Sequence, residues 1–239
     1  MNRLSQAVVM LLFGGALIRA TLTDMFLRYV KEGLRPFLLA AGGLLVAAAV
    51  MTIWYELRAA RAQHNHHGDD GHGHHEPRVG WLLILPVVGL LLVAPPALGA
   101  YSAGQAGTVV AEPAGSDYPP LPAGDPAPIG LLDYASRAVF DGGKSLSGRT
   151  VRLTGFITPG PDGTPMLARM VLTCCAADGR PIKVGLTGST PVDAAPDTWV
   201  QIDGVYSSRV GKDPVNEAEV AYIEVKSWQE TTEPKQPYA

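Results

Sequence analysis

The sequence predicts a helical membrane anchor of three transmembrane helices, followed by an all-β, OB-like small barrel domain. Long uncharged apolar runs are confined to residues 1–100, and a helix needs about 20 apolar residues to cross a bilayer. Five short β-like runs follow within residues 150–228, which suits a barrel of the oligonucleotide/oligosaccharide-binding (OB) type. The chain is 47% hydrophobic and 17% charged, so it is too apolar for an ordinary soluble protein.

Three apolar runs are the predicted spans of region 1–100. Residues 37–55 are uncharged and end in a Trp-Tyr pair, which is typical of the headgroup interface. Residues 81–100 are uncharged throughout. Residues 4–18 are short for a span and reach sufficient length only by continuing past Arg19 and Asp24. A cleaved signal peptide is the alternative interpretation of this first run.

Positive charge does not decide the orientation of these spans. Four Lys or Arg residues lie on each side of the predicted membrane, which is a tie under the positive-inside rule. The free N-terminal amine favours an inside N-terminus, and the following linker resembles an exported spacer. We therefore expect a multi-pass protein of the cell membrane with an extracytoplasmic C-terminal domain.

The C-terminal part divides into a linker, a domain and a tail. Residues 101–128 are rich in Pro, Gly and Ala, and this composition predicts an extended, mobile linker. Residues 129–230 form the predicted barrel domain, and 231–239 a flexible tail.

An apolar stripe predicts a short helix at 131–140. The predicted strands, several of which alternate apolar and polar residues, are 150–157, 166–175, 181–186, 198–207 and 220–228. The loop 187–197 is too rich in proline for the helix that such barrels often carry there, and 209–219 is predicted to be a long loop.

All the histidines of the chain lie in one tract within the predicted loop 58–79. Imidazoles beside carboxylates suit Zn, Ni or Cu, so this tract is a candidate metal-binding segment, as a store or a delivery site. The alternative is a solvated polar loop without a metal function. The candidate ligands are His64, His66, His67, His72, His74 and His75.

Both cysteines are adjacent, at the end of the second predicted strand. Neighbours in a strand face opposite sides, so one interpretation places one of Cys174 and Cys175 in the core and the other outside. A second interpretation is soft-metal or redox use, which needs a bulge or turn to bring both sulfurs to one ligand. A third is a strained vicinal disulfide or an intersubunit disulfide. Asp178 reads as a residue of the Asp-Gly hairpin turn, in which Gly179 is free to take positive φ, and it is also a candidate third ligand.

Catalysis and nucleic-acid binding are not expected. No histidine follows residue 75, so no Ser-His or Cys-His couple can form in the C-terminal half. From Gly130 onward there are 11 Lys and Arg against 13 Asp and Glu, which is no basic footprint for nucleic acid.

The order of these parts resembles the YcgQ-type permease-subunit family. The resemblance rests on Tyr29 and Pro36 in the first part, on the segments GRTVRLTGFI, VLTCCAADGRPIKV and DTWVQIDGVY, and on the terminal Pro237-Tyr238. It implies a membrane-anchored β domain that works with a separate multi-span permease of the YraQ/ArsP-like kind, in some bacteria within zinc-responsive gene sets. The histidine tract and the long spacer look like additions to the family pattern.

The resulting interpretation is a non-enzymatic membrane accessory subunit of such a permease, with metal ions as the candidate substrate. The predicted partners are this permease and the lipid bilayer, and zinc or another transition metal is the candidate bound ion. One alternative is a stand-alone metal-binding or sensing membrane protein that uses the histidine loop and the cysteine pair. Another is a purely structural interaction module.

Overall fold

The structure, a computed structural model, describes residues 3–63, 89, 96–111 and 118–239. Contacts divide the chain into two compact units. The first comprises Met1–Phe26 and Lys31–Pro95, and the second comprises Leu27–Val30 and Pro96–Ala239. The four residues Leu27–Val30 therefore belong by contact to the C-terminal unit, although helices of the first unit flank them in sequence.

The first unit contains an antiparallel pair of helices. Helix α1 is Arg3–Leu22, and α2 is Arg35–Gln63; 3-10 turns at Met25–Arg28 and Glu32–Leu34 lie between them. Arg3 Nε lies 3.8 Å from Glu56 Oε1 at one end of the pair, and Arg35 Nη1 lies 3.4 Å from Asp24 Oδ1 at the other. Charged residues thus mark the two ends of an apolar pair.

Both helices are long and apolar enough to cross a membrane. Only 17% of the most apolar window of α1 is buried, and 11% of that of α2, whereas a core helix of a soluble protein would be mostly buried. Among the described residues two helices meet this test, not the predicted three. The third predicted span falls on residues 81–100, of which 81–88 and 90–95 lie outside the described residues.

The second unit is built on one six-stranded sheet. Its strands are β1 Ala127–Pro128, β2 Val151–Pro159, β3 Pro165–Val171, β4 Arg180–Thr187, β5 Trp199–Lys212 and β6 Glu219–Glu230. Their order is β1-β2-β3-β4-β6-β5, and β2 also pairs with β5. The β1–β2 and β4–β6 pairs are parallel, and the other pairs are antiparallel.

Alternation of apolar and polar residues fixes the register of β2 against β5. Val151 and Leu153 are buried, while Arg152 between them is half-buried. Arg152 faces Asp203 directly across the ladder, and its Nε and Nη2 each donate to a carboxylate oxygen of Asp203 at 2.7 Å. A shift by one residue would break this paired contact and turn the apolar side chains outward.

A helix covers the core of the sheet. Helix α4, Leu131–Phe140, coincides with the helix predicted at 131–140. Leu131, Tyr134 and Ala135 are buried in the main apolar cluster with residues of β2 to β6. The Tyr134 hydroxyl donates to the Tyr222 carbonyl at 2.6 Å, so the one polar atom of this buried ring has a partner.

The described linker residues are not an extended spacer, unlike the predicted mobile linker. Residues Ala100–Gln105 form helix α3, and the Val109 N–H donates to the Pro181 carbonyl at 2.9 Å. The Lys183 ammonium donates to the Ala106 carbonyl at 2.9 Å and pairs with buried Asp213 at 2.8 Å. A Pro- and Gly-rich composition predicts poor core formation, but here the backbone of this segment gains hydrogen-bond partners from β4.

The predicted boundaries differ from the observed ones in two other places. The tail predicted to be flexible makes hydrogen bonds to β3: the Ala239 N–H donates to the Met170 carbonyl at 2.8 Å. The long loop predicted at 209–219 is shorter, because β5 continues to Lys212 and pairs there with Glu219 of β6. The sequence did not predict this part of β5 as a strand, because residues 208–210 and 212 are exposed and lack the apolar alternation of a half-buried strand.

Candidate functional site

Both cysteines lie in the connection between β3 and β4, here named the thiol turn, Thr173–Gly179. Strand β3 ends at Val171 and a 3-10 turn spans Ala176–Asp178, so the prediction that residues 166–175 form one strand is wrong at its end. The strand rule that sends neighbouring side chains to opposite faces therefore does not apply. Cys174 is exposed, Cys175 is half-buried, and their sulfurs lie 3.7 Å apart as free thiols.

The Asp178 carboxylate stabilises the thiol turn by accepting hydrogen bonds from its backbone. Its Oδ1 accepts from the Thr173 N–H at 2.9 Å, and its Oδ2 accepts from the N–H groups of Cys174 at 2.8 Å and Cys175 at 3.4 Å. A short carboxylate side chain is suited to capping consecutive backbone donors in this way. The prediction that Asp178 is a turn residue is confirmed, and the same bonds bring both thiols to one side.

Gly179 is required for packing and not for its backbone angles. Its φ is −57°, so the turn does not use the positive φ that a glycine permits. A Cβ added at Gly179 would lie 2.5 Å from Leu98 Cδ1, closer than real carbon atoms approach. The glycine lets residue 98 pass against the thiol turn.

Electrostatics keep the Cys174 thiol protonated in the absence of a metal. The hydrogen bond from Cys174 to the Asp178 carboxylate, and then that with Cys175, raise the pKa of Cys174 to about 11. The same bond to Cys174 lowers the pKa of Asp178 to about 2. A thiolate next to a carboxylate is unfavourable because like charges repel, and a bound cation would reverse this balance.

The three side chains can hold one metal ion. One ligand atom from each of Cys174, Cys175 and Asp178 lies within 4.8 Å of the others. Two sulfurs bound to a tetrahedral Zn²⁺ at about 2.3 Å stand about 3.8 Å apart, which agrees with the observed 3.7 Å. A linear two-coordinate ion with similar bonds would need about 4.6 Å. The donor set of two sulfurs and one oxygen leaves a fourth position open to a water molecule or an outside ligand.

The thiol turn is also held by backbone atoms far away in sequence. Val30 pairs with Cys175 in an antiparallel bridge, and the Ala176 N–H donates to the Tyr29 carbonyl at 2.7 Å. Sequence reasoning missed this contact, because backbone pairing over 145 positions leaves no local pattern. The only signal was the appearance of Tyr29 and Pro237-Tyr238 in the family resemblance.

Tyr238, next to the last residue of the sequence, is hydrogen-bonded to the same region. Its hydroxyl donates to the Arg28 carbonyl at 2.6 Å and accepts from the Leu98 N–H at 3.1 Å. Burial raises the pKa of Tyr238, so the hydroxyl keeps the proton that it donates. Segments 28–30, 98 and 238 thus meet around the thiol turn.

The other predicted ligands are the six histidines of the tract before residue 76. The tract with His64, His66, His67, His72, His74 and His75 lies outside the described residues. Within the part of the chain that the structure describes, Cys174, Cys175 and Asp178 are the group that can hold a metal.

Comparison with known proteins concerns the same C-terminal part. Residues 139–239 match the model of the DUF1980 C-terminal domain. The match takes in β2 to β6, the thiol turn and Tyr238, and it covers less than half of the chain. Neither a curated protein nor a solved structure matches the chain significantly.

Proposed function

We propose that the protein is a non-enzymatic, multi-pass membrane accessory subunit whose C-terminal domain binds zinc or a similar soft ion for a multi-span permease. One observation carries the metal-binding part of this proposal: two free thiols 3.7 Å apart share a turn with a carboxylate. This spacing suits tetrahedral chelation. The open fourth position favours transfer of the ion over permanent storage.

The membrane part of the proposal is supported by the helix pair. Its outward apolar residues, such as Phe37 at 69% and Leu44 at 71% exposure, have no cover within the described residues, and lipid would supply one. We propose a third span in the uncharged run 81–100 and an extracytoplasmic C-terminal domain. We further propose that the domain is an OB-like barrel, since the β2–β5 pairing joins strands that are far apart in the strand order.

The permease partnership is supported by the resemblance to the YcgQ-type family and by the match of residues 139–239 to the DUF1980 C-terminal domain. A two-thiol site with one exposed and one half-buried cysteine, on a membrane-tethered domain, suits hand-over of an ion to a neighbouring protein. Affinity purification of the tagged full chain from membranes, followed by mass spectrometry, should recover a multi-span permease of the YraQ/ArsP-like kind. Recovery of the chain without such a partner would favour the stand-alone metal-binding alternative.

Metal binding is tested with Cd²⁺, because a thiolate–cadmium bond absorbs in the ultraviolet and an imidazole–cadmium bond does not. The full chain in detergent should develop this band and saturate at one ion per chain. Cys174→Ser with Cys175→Ser should abolish it. Ala176→Ser with Ala177→Ser is the matched control, which changes the same turn and keeps both thiols.

The role of the carboxylate is tested in the same titration. Asp178→Asn should weaken Cd²⁺ binding about 10-fold or more, as for other groups that orient or complete a metal site. An unchanged band in the double serine variant, or no band in the wild type, would overturn the metal-binding proposal and leave the structural interpretation of the module.

A further inference from the structure

The segment between the two candidate spans contacts the thiol turn and its neighbour Tyr238. Leu27–Val30 belongs by contact to the C-terminal unit. Three contacts connect it there: the Val30–Cys175 bridge, the bond from Ala176 N–H to Tyr29 O at 2.7 Å, and the bond from the Tyr238 hydroxyl to Arg28 O at 2.6 Å. Each involves the backbone of residues 28–30, so the contacts do not depend on rotamers of exposed side chains.

Chain continuity limits how far this site can lie from a membrane. Leu22 ends α1 and Arg35 begins α2, so Arg28 is six positions after the end of α1 and Val30 is five positions before the start of α2. An extended chain covers about 3.5 Å per residue, which gives a reach of about 20 Å. If α1 and α2 each cross the bilayer, residues 23–34 emerge on the face opposite to Arg3 and to the end of α2.

We infer that the thiol turn lies at the membrane surface, on the face reached by residues 23–34 and opposite to Arg3 and Gln63. The inference rests on the proposed spans α1 and α2, and it does not depend on metal binding. The chain between Gln63 and Pro96 must then cross the membrane an odd number of times. The uncharged run 81–100 is the proposed crossing.

The inference also bears on the second predicted metal-binding segment. Gln63, the last residue of α2, is on the face opposite to the thiol turn, and the histidine tract begins at the next position of the sequence. The thiols are then the metal-binding group of the face that residues 23–34 occupy. A partner that receives the ion from them must open on that face.

Cysteine labelling tests the sidedness. The chain has two cysteines, both in the thiol turn, so wild type already reports that position. In the Cys174→Ser, Cys175→Ser background, Gly33→Cys reports the turn between the spans and Gln63→Cys reports the end of α2. A Cβ at Gly33 meets nothing within 4 Å, and neither substitution changes the charge that governs orientation.

A membrane-impermeant maleimide is applied to intact and to permeabilised cells. The native thiols and Gly33→Cys should be labelled under the same condition, either in intact cells or only after permeabilisation. Gln63→Cys should be labelled under the other condition. The background without cysteine corrects for unspecific label. Native thiols that follow Gln63→Cys and differ from Gly33→Cys would overturn the inference, whether or not the protein binds Cd²⁺.

Oxidative cross-linking tests the contact itself in membranes. Paired residues of antiparallel strands have Cα atoms about 4.5 to 5.5 Å apart, within the usual range for a disulfide. Val30→Cys with Cys174→Ser should therefore close a bridge to Cys175 on treatment with copper phenanthroline, seen as loss of two free thiols within one chain. Gly33→Cys with Cys174→Ser is the control. Equal closure in both variants would contradict the pairing.

Discussion

At the scale of single residues, the thiol turn shows how one side chain sets the chemistry of another. Asp178 caps three backbone N–H groups and at the same time opposes the ionisation of Cys174. The sequence contained both residue types, but their spacing of four positions does not predict this contact outside a helix.

Removing the charge of Asp178 should activate Cys174 toward alkylation. With Cys175→Ser in both proteins, Asp178→Asn should raise the rate of reaction with iodoacetamide at neutral pH about three- to tenfold. The thiolate is the nucleophile and its fraction rises as the pKa falls, although its intrinsic reactivity decreases somewhat. In both proteins the rate should rise with pH, and the Asn variant should reach its plateau at lower pH. A lower rate in the Asn variant would contradict the assigned cause of the raised pKa.

A second prediction at this scale concerns the buried pair of Lys183 and Asp213. The Asp213 side chain has no exposed surface, and that of Lys183 is 7% exposed. Burial alone would raise the pKa of Asp213, but Lys183 and the N–H groups of Val215 and Thr108 outweigh it and hold the pKa below its usual value. Asp213→Asn leaves a buried ammonium without its counter-charge, which typically costs about 3 to 5 kcal/mol.

The pH dependence of this cost follows from the lowered pKa. A carboxylate with a lowered folded-state pKa stabilises the fold above its unfolded pKa of about 3.9, and the stabilisation is lost as pH falls through the folded value. Denaturant unfolding of the C-terminal domain should therefore show a large loss for Asp213→Asn at pH 7 and a smaller one in strong acid. Asp162→Asn is the control, because Asp162 is exposed and Asn tolerates its φ of 58°. A pH-independent difference would exclude the charge pair as its origin.

At the scale of elements, local patterns predict what local forces determine. The apolar stripe that contains Leu131 and Ala135 was enough to predict α4, since a buried helical face has a fixed period. The end of β3 was not predictable in this way: residues up to Cys175 have β-like chemistry, yet the cap by Asp178 and the bridge to Val30 turn the chain after Val171. The candidate metal ligands were predicted from the sequence, but their common orientation was not, because it depends on the hydrogen bonds of Asp178 and on a partner segment 145 positions away.

Close packing of the two candidate spans depends on glycine at two facing positions. A Cβ at Gly14 would lie 2.9 Å from the Gly42 carbonyl oxygen, and one at Gly42 would lie 2.7 Å from Ile18 Cγ1. Gly14→Val and Gly42→Val should therefore separate the helices and destabilise the pair by about 1 to 3 kcal/mol, as overpacking does elsewhere. Unfolding by SDS titration measures this change.

The neighbouring glycines are matched controls for this prediction. Gly15 and Gly43 are next in sequence and would meet nothing within 4 Å. Gly15→Val and Gly43→Val carry the same cost in helix propensity without the clash. Equal destabilisation by facing and outward substitutions would show that helix propensity and not packing is responsible.

At the scale of the whole molecule, the C-terminal unit is assembled from segments that are distant in sequence. Residues 28–30, 98 and 238 meet at Tyr238, while Arg169 Nη2 donates to the carbonyls of Gln236 at 2.9 Å and Tyr238 at 3.2 Å. Composition predicted a loose tail because it is polar and contains prolines. It is fixed by hydrogen bonds to backbone carbonyls, and these have no signature in composition.

Tyr238→Phe tests whether this tail fastens the molecule. The change keeps the ring and removes the hydroxyl, which leaves the Arg28 carbonyl and the Leu98 N–H without this partner. Loss of the two bonds should cost about 1 to 3 kcal/mol and should increase hydrogen exchange at the amides of Leu98 and Ala176, since Ala176 is bonded to Tyr29 in the same segment. Tyr101→Phe is the control, because Tyr101 is 81% exposed. Faster exchange at Leu98 with no change at Ala176 would show that Tyr238 holds residue 98 only, and that the thiol turn keeps its contact with residues 28–30 without help from the tail.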